Sequence, residues 1–160
     1  MTEIFQKADQ RIKFLAYLIT IAGAVPFYIA LVSLIIGQVY PFSSFYIIVY
    51  SGLIITFVCG SNWVIILSAS NFKKINLTYY LFFIINSIIP ILLSCYIIVE
   101  ESFNGNSFSY IYLGTILILL LFFDIIFFLN KIIELWWLKL RFFGSISSGI
   151  SLIIINIINL

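Results

Sequence analysis

The chain has 160 residues, 64% of them hydrophobic and 9% charged, with a mean hydropathy of +1.23 and a formal charge of +2. Soluble domains carry roughly 25% charged residues, so water could not be the solvent of a fold with this little polar surface, and a single domain in lipid is expected. The weak, scattered charge excludes a nucleic-acid partner, and the lack of histidine removes the imidazole ligand of haem and zinc sites and any His-based nucleophilic triad.

Residues 1–13 are polar and hold Glu3, Lys7, Asp9, Arg11 and Lys13. They are too acidic, and too poor in Ser and Arg, for a mitochondrial transit peptide. Residues 14–36 form the first expected span, interrupted by Gly23 and Pro26. A signal peptide competes here, because Ala22-Gly23-Ala24 imitates a cleavage site, but the apolar run continues well past it. A turn at 37–44 with Pro41 leads to the second span, 45–70. It carries Gly52, Thr56 and Gly60 four residues apart, a small-residue stripe of the kind that packs helices in membranes. Asn62 and Trp63 sit beside that stripe, and the helix is expected at the centre of the bundle.

A turn at 71–76 with Lys73 and Lys74 precedes the third span, 77–99, which contains Asn86, Ser87 and Pro90. Residues 100–108, with Glu100 and Glu101, read as a solvated loop. The fourth span, 109–129, ends near Asp124. Residues 130–140 read as a connector rich in Trp and Leu, and 141–160 as the fifth span. Each span is about 20 residues or slightly more, enough at about 1.5 Å per residue for a hydrocarbon core of about 30 Å. Unbroken apolar runs favour helices over barrel strands. The expectation is an all-α polytopic transmembrane bundle of five helices in one domain, 1–160.

All eight Lys and Arg residues fall in the N-terminal segment, the second loop, or the fourth loop and its exit. The first and third loops have none. With five spans these basic segments share one side, which the positive-inside rule makes cytoplasmic: N-terminus in, C-terminus outside.

Counting from the cytoplasmic ends puts Thr20 and Asp124 about 9 Å deep, with Ser147 and Ser148 near 10 Å, Asn62 near 12 Å and Asn86 near 14 Å. A polar layer is therefore expected in which Asn62, Asn86 and Asp124 face one another inside the bundle, with Thr20 and Ser148 as further binding candidates. The competing reading is that such residues are packing glue, worth on average about 0.6 kcal/mol per hydrogen bond. Asp124 is the one acid inside a span. It is either a proton-accepting or cation-pairing group, or a carboxylate tied to Asn62, Lys131 or Arg141.

Pro26 and Pro90 are candidate kinks. Gly144 with Ser148, and Ser145 with Gly149, predict close packing, with the Gly52, Thr56 and Gly60 face as a candidate partner. Trp136 and Trp137, with Lys139 and Arg141, suit a short interfacial helix at the cytoplasmic headgroups, an anchor that could also hold an acidic lipid. Cys59 and Cys95 differ in expected depth by roughly 10 Å and read as packing residues rather than a disulfide. No P-loop, dinucleotide fingerprint, metal-ligand spacing or nucleophile elbow occurs, so no metal or cofactor is expected.

Several local patterns resemble the transmembrane protein 69-like family, a family catalogued as a domain of unknown function. Ala22-Gly23-Ala24-Val25-Pro26-Phe27 is similar to its Ala-Gly-Leu-Ile-Pro-Phe. Tyr50 to Trp63 resembles its tyrosine-initiated second span, which closes in Gly-Gly, one residue, then His-Trp. Ser87-Ile88-Ile89-Pro90 resembles its Ser-x-x-Pro, and Asp124 followed by Trp136-Trp137 and Leu140-Arg141 its closing Asp…Trp…Leu-Arg. Cys59 stands where that family has the first Gly of its pair, and Asn62 where it has His. Asn62 keeps hydrogen bonding but does not titrate near neutral pH. The resemblance implies a small bacterial inner-membrane protein, or alternatively a mitochondrial inner-membrane one, without implying an activity.

Together these features favour a non-enzymatic helix-packing subunit, scaffold or assembly factor that meets the bilayer and a membrane-protein partner or a second copy of itself. The alternative is a carrier or binder of a small or lipid-like molecule at the Asn62, Asn86 and Asp124 layer.

Overall fold

The structure, a computed structural model, describes the backbone of residues 10–37, 44–70, 77–104 and 108–159, and the side chains of these except 44, 63–70, 77–80, 82, 83 and 159. The expectations for Pro41, for Lys73 and Lys74, and for the Trp63 side chain lie outside the described residues. Five helices succeed one another: α1 Gln10–Ile35, α2 Ser44–Ser70, α3 Leu77–Asn104, α4 Ser109–Leu129 and α5 Leu135–Asn159. Among the described residues the protein is all helical, and each helix is long and apolar enough to cross a membrane.

Besides the earlier start of α1, at Gln10 and not at 14, the helices differ from the spans read in the sequence at two ends. α3 runs on through Glu100–Asn104, where Ser102 Oγ donates back to the Ile98 and Val99 carbonyls. Glu101 then accepts a 2.6 Å hydrogen bond from Ser109 Oγ at the start of α4, so the acidic segment closes the α3–α4 corner instead of forming a loop. At the other end, residues 135–140 are the first turns of α5 itself and not a separate interfacial helix. Both prolines lie inside continuous helices. Pro26 has no N–H to offer the Ala22 carbonyl, and one residue along, the Gly23 carbonyl accepts the Tyr50 hydroxyl at 2.9 Å.

The α4–α5 connection sets the course of the last helix. The Lys131 N–H bonds the Phe128 carbonyl and the Ile132 N–H the Phe127 carbonyl, both at 2.9 Å, with Lys131 left-handed at φ 56°. This pair of bonds is a Schellman ending. Its usual hydrophobic contact is present too, since Ile132 packs on the small cluster around buried Phe127 and Ile133. The chain reverses in five residues, so α5 climbs back along α4.

α4 packs most extensively on α5, α2 on α3, and α1 on α5, while α2 and α3 also meet α4 and α1 scarcely meets α2. The centre is thus shared by α2 and α4. One core joins Phe27 and Ala30 of α1, Ile47, Ile48 and Ile55 of α2, Leu113, Leu117 and Leu120 of α4, and Leu152 and Ile155 of α5. Outside it, Phe14, Leu92, Tyr96, Phe122 and Ile157 are exposed, as befits helices solvated by lipid.

The close-packing seam differs from the one expected. Gly52 is buried against Ile98, but Thr56 and Gly60 are exposed, and a side chain at Gly60 would meet open space. Steps of four residues advance about 40° beyond a full turn at 3.6 residues per turn, which carries the stripe off the buried face. The backbones approach instead at Gly114 of α4 and Gly149 of α5. A Cβ at Gly114 would lie 2.7 Å from the Gly149 carbonyl oxygen, and one at Gly149 would lie 2.9 Å from that of Gly114. Gly144, the other glycine of α5, faces Thr20 of α1.

Because backbone cannot yield as a side-chain tip does, Gly114→Val should cost about 1–3 kcal/mol, the usual range for overpacking. Gly60→Ala should be neutral or slightly stabilising through helix propensity. Thermal unfolding of both variants in mild detergent checks the contrast.

Candidate functional site

The site begins on α2, where Val58, Cys59 and Asn62 share the buried face and Ser61 stands at its edge. Ser61 Oγ donates to the Val58 carbonyl at 2.7 Å, the local back-bonding open to a helical serine. α5 then brings in Arg141. Starting at Leu135, α5 has risen about 9 Å by Arg141, which leaves that residue 7% exposed. Its Nη2 donates to the Val58 carbonyl at 3.1 Å, to Asn62 Oδ1 at 2.9 Å and to Ser61 Oγ. One turn earlier, the Trp137 ring lies 5.6 Å from the guanidinium carbon, a cation–π contact.

α4 supplies the acid. Asp124 is fully buried, and neither of its oxygens has a hydrogen-bond partner among the described residues. Its charge interacts electrostatically with that of Arg141, and the buried Cys59 lies within range of both. The cluster thus contains a carboxylate and a guanidinium that sense each other without a direct hydrogen bond. Asn62 Nδ2 and Arg141 Nε are further donors without partners among the described residues.

Around Arg141 opens a cleft of about 280 Å³, partly open, where α1 and α2 part. Its walls are Ile19, Gly23 and Ala24 of α1, Ile54, Phe57 and Val58 of α2, and Leu117 of α4. Its polar groups are Thr20, Ser61, Arg141, Ser145 and Ser148. Small-molecule sites run from about 300 to 1,000 Å³ and are mostly apolar with a few convergent polar groups, and this cleft has that character at a volume just below the range.

The expected polar layer is therefore partly assembled. Asn62 bonds Arg141, and Asp124 lies in their electrostatic neighbourhood. Asn86 is buried, but neither of its amide atoms has a hydrogen-bond partner among the described residues, and it does not line the cleft. Thr20 lines the cleft while its hydroxyl donates to the Ala16 carbonyl at 2.9 Å, and Ser148 is buried on the opposite wall. Arg141, expected at the interface, is inside the bundle. Ser61 is absent from the residues that stand out in the sequence. The signal for the cleft-lining face of α5 was available in the polar and aromatic spacing Trp137, Arg141, Ser145, Ser148. Trp136 keeps a boundary position, half-buried, with Lys13 Nζ of α1 5.5 Å from its ring and Trp137 edge-on at 5.6 Å. Among the described residues no three Cys, Asp or Glu gather where they could hold a metal ion.

Five apolar helices of spanning length, with few charged groups in their interior, define a multi-pass helical membrane protein. The chain belongs to the family described as Protein of unknown function (DUF3429), whose model matches residues 12–157. No curated protein and no solved structure matches it.

Breaking a buried pair by removing one partner typically costs about 3–5 kcal/mol, because an uncompensated charge remains. Arg141→Met should therefore destabilise the fold by an amount of that order, and adding Asp124→Asn should recover much of the loss. A double-mutant cycle of thermal unfolding reads this directly, and strictly additive effects would show that the two charges do not interact.

Proposed function

We propose that this protein is a non-enzymatic, multi-pass membrane protein that binds a single lipid-like amphiphile in the cleft between α1 and α2. The observation that carries the reading is the cleft itself: apolar walls that suit an acyl chain, with a buried guanidinium among them. A helix-packing subunit would favour closed contacts between α1 and α2, yet these two helices scarcely touch.

The finer affiliation with the transmembrane protein 69-like family, and residence in a bacterial inner membrane, belong to the same proposal. They are supported by the Ala22–Phe27, Tyr50–Trp63 and Asp124–Arg141 patterns. The orientation does too. Lys13, Lys131 and Lys139 lie at the end of the bundle where α1 and α5 begin and α4 ends, whereas Glu100 and Glu101 close the other. On the positive-inside rule the basic end is cytoplasmic.

Gly23 lines the cleft, and a Cβ there would meet only Ile54 Cδ1, at 3.8 Å. Gly23→Phe should fill the space, lowering the amount of lipid retained through gentle-detergent purification while leaving the protein folded. Mass spectrometry of the purified protein and its variant checks this. An unchanged lipid complement, with a membrane protein co-purifying instead, would return the subunit or scaffold reading to first place.

For orientation, a single cysteine placed at exposed Phe103, in a chain lacking Cys59 and Cys95, should react with a membrane-impermeant maleimide from outside intact cells. One placed at exposed Lys131 should react only after permeabilisation.

A further inference from the structure

We propose that the amphiphile is an acidic lipid of the bilayer, its anionic headgroup held at the Arg141–Ser61 corner and one acyl chain lying along the α1–α2 walls. This rests on the cleft being an amphiphile site and adds the chemistry that selects among amphiphiles. Arginine offers five N–H donors in a planar fork that matches carboxylate and phosphate oxygens. In Arg141 that fork is unevenly used. Nη2 alone carries all three of these hydrogen bonds, to Val58, Ser61 and Asn62, while Nε has no partner among the described residues.

The internal acid does not take up the spare donors. Asp124 lies within electrostatic range of Arg141, has no hydrogen bond among the described residues, and is not part of the cleft lining. A headgroup oxygen entering from the cleft, which Arg141 lines, therefore meets a guanidinium whose Nε has no hydrogen-bond partner among the described residues. A zwitterionic headgroup also brings a phosphate, but its ammonium adds positive charge beside Arg141, and a cationic headgroup would be repelled outright.

A second positive group points the same way. Lys13 lies seven residues before Thr20, on the same face of α1, at the end where its ammonium sits over Trp136. Lys13 and Arg141 thus place positive charge at the headgroup end of the cleft, and basic groups at that level attract acidic lipids. Further along, Gly23, Ile54 and Phe57 present only apolar surface to the chain.

Asp124 lies within electrostatic range of Arg141, and in its ionised form it weakens the field felt by an entering anion. Removing that charge should tighten acidic-lipid binding. A merely structural acid would give no such gain.

Trp137 lines the cleft and can report occupancy. With Trp63→Phe and Trp136→Phe it is the sole tryptophan, since the chain has three. The protein is reconstituted in phosphatidylcholine vesicles, and quenching by brominated phosphatidylglycerol is compared with quenching by brominated phosphatidylcholine. The acidic lipid should quench at a mole fraction lower by on the order of tenfold, the weight of one charge-assisted hydrogen bond. Arg141→Gln should abolish that preference and Asp124→Asn should increase it. Should Arg141→Gln fail to fold, the comparison of the two brominated lipids on the chain with and without Gly23→Phe decides.

Equal quenching by the two lipids, reduced in both cases by Gly23→Phe, overturns the acidic-lipid assignment and leaves the amphiphile site standing. Quenching that Gly23→Phe does not alter overturns both.

Discussion

A guanidinium stays charged at any accessible pH, and in a medium without water it must find acceptors within the protein or its ligands. Arg141 meets that demand on α2, a helix with which its own helix makes little direct backbone contact. Its bonds to Val58, Ser61 and Asn62 bridge the space between α5 and α2. The cleft exists because this bridge is a side chain and not a helix seam. Where α4 and α5 meet, Gly114 and Gly149 bring backbones together; where α5 faces α2, a long side chain holds them apart and Leu117 and Val58 become walls.

The placement of Arg141 is set in turn by the chain reversal before it. The Schellman ending at Lys131 stops α4 shortly after Asp124 and restarts the chain at Leu135, so two residues seventeen apart in sequence meet near one depth. A longer or looser connector would leave each charge to find its own solvation. Buried pairs of this kind are weak evidence for stability and better evidence for a defined arrangement. Here the arrangement places the guanidinium in the lining of the cleft where α1 and α2 part.

Much of the fold was legible in the sequence, because spanning length and apolarity are read by composition alone: Ser109–Leu129 agrees to the residue. The start of α5 was not. Lys139 and Arg141 look alike in sequence and stand about 200° apart on a helix, one exposed and the other buried, a difference set by which helix lies opposite. The stripe of Gly52, Thr56 and Gly60 misled for a related reason, since small residues permit close approach without requiring it, and only Gly52 faces a neighbouring helix. Asn62 and Asp124 stood out as polar groups in apolar runs, and both belong to the cluster. Asn86 stood out equally and remains apart from their hydrogen bonds, because depth along a helix fixes height and not direction.

Apart from Arg11, Arg141 is the chain's one arginine. With Arg11→Lys, guanidinium nitrogen labelling reports on Arg141 alone. Solid-state NMR dephasing between that nitrogen and lipid phosphorus, in vesicles containing phosphatidylglycerol, should show a bound phosphate at hydrogen-bonding range. Gly23→Phe should erase the signal. Phosphorus that shows no dephasing by the Arg141 label would contradict a lipid headgroup at the buried arginine.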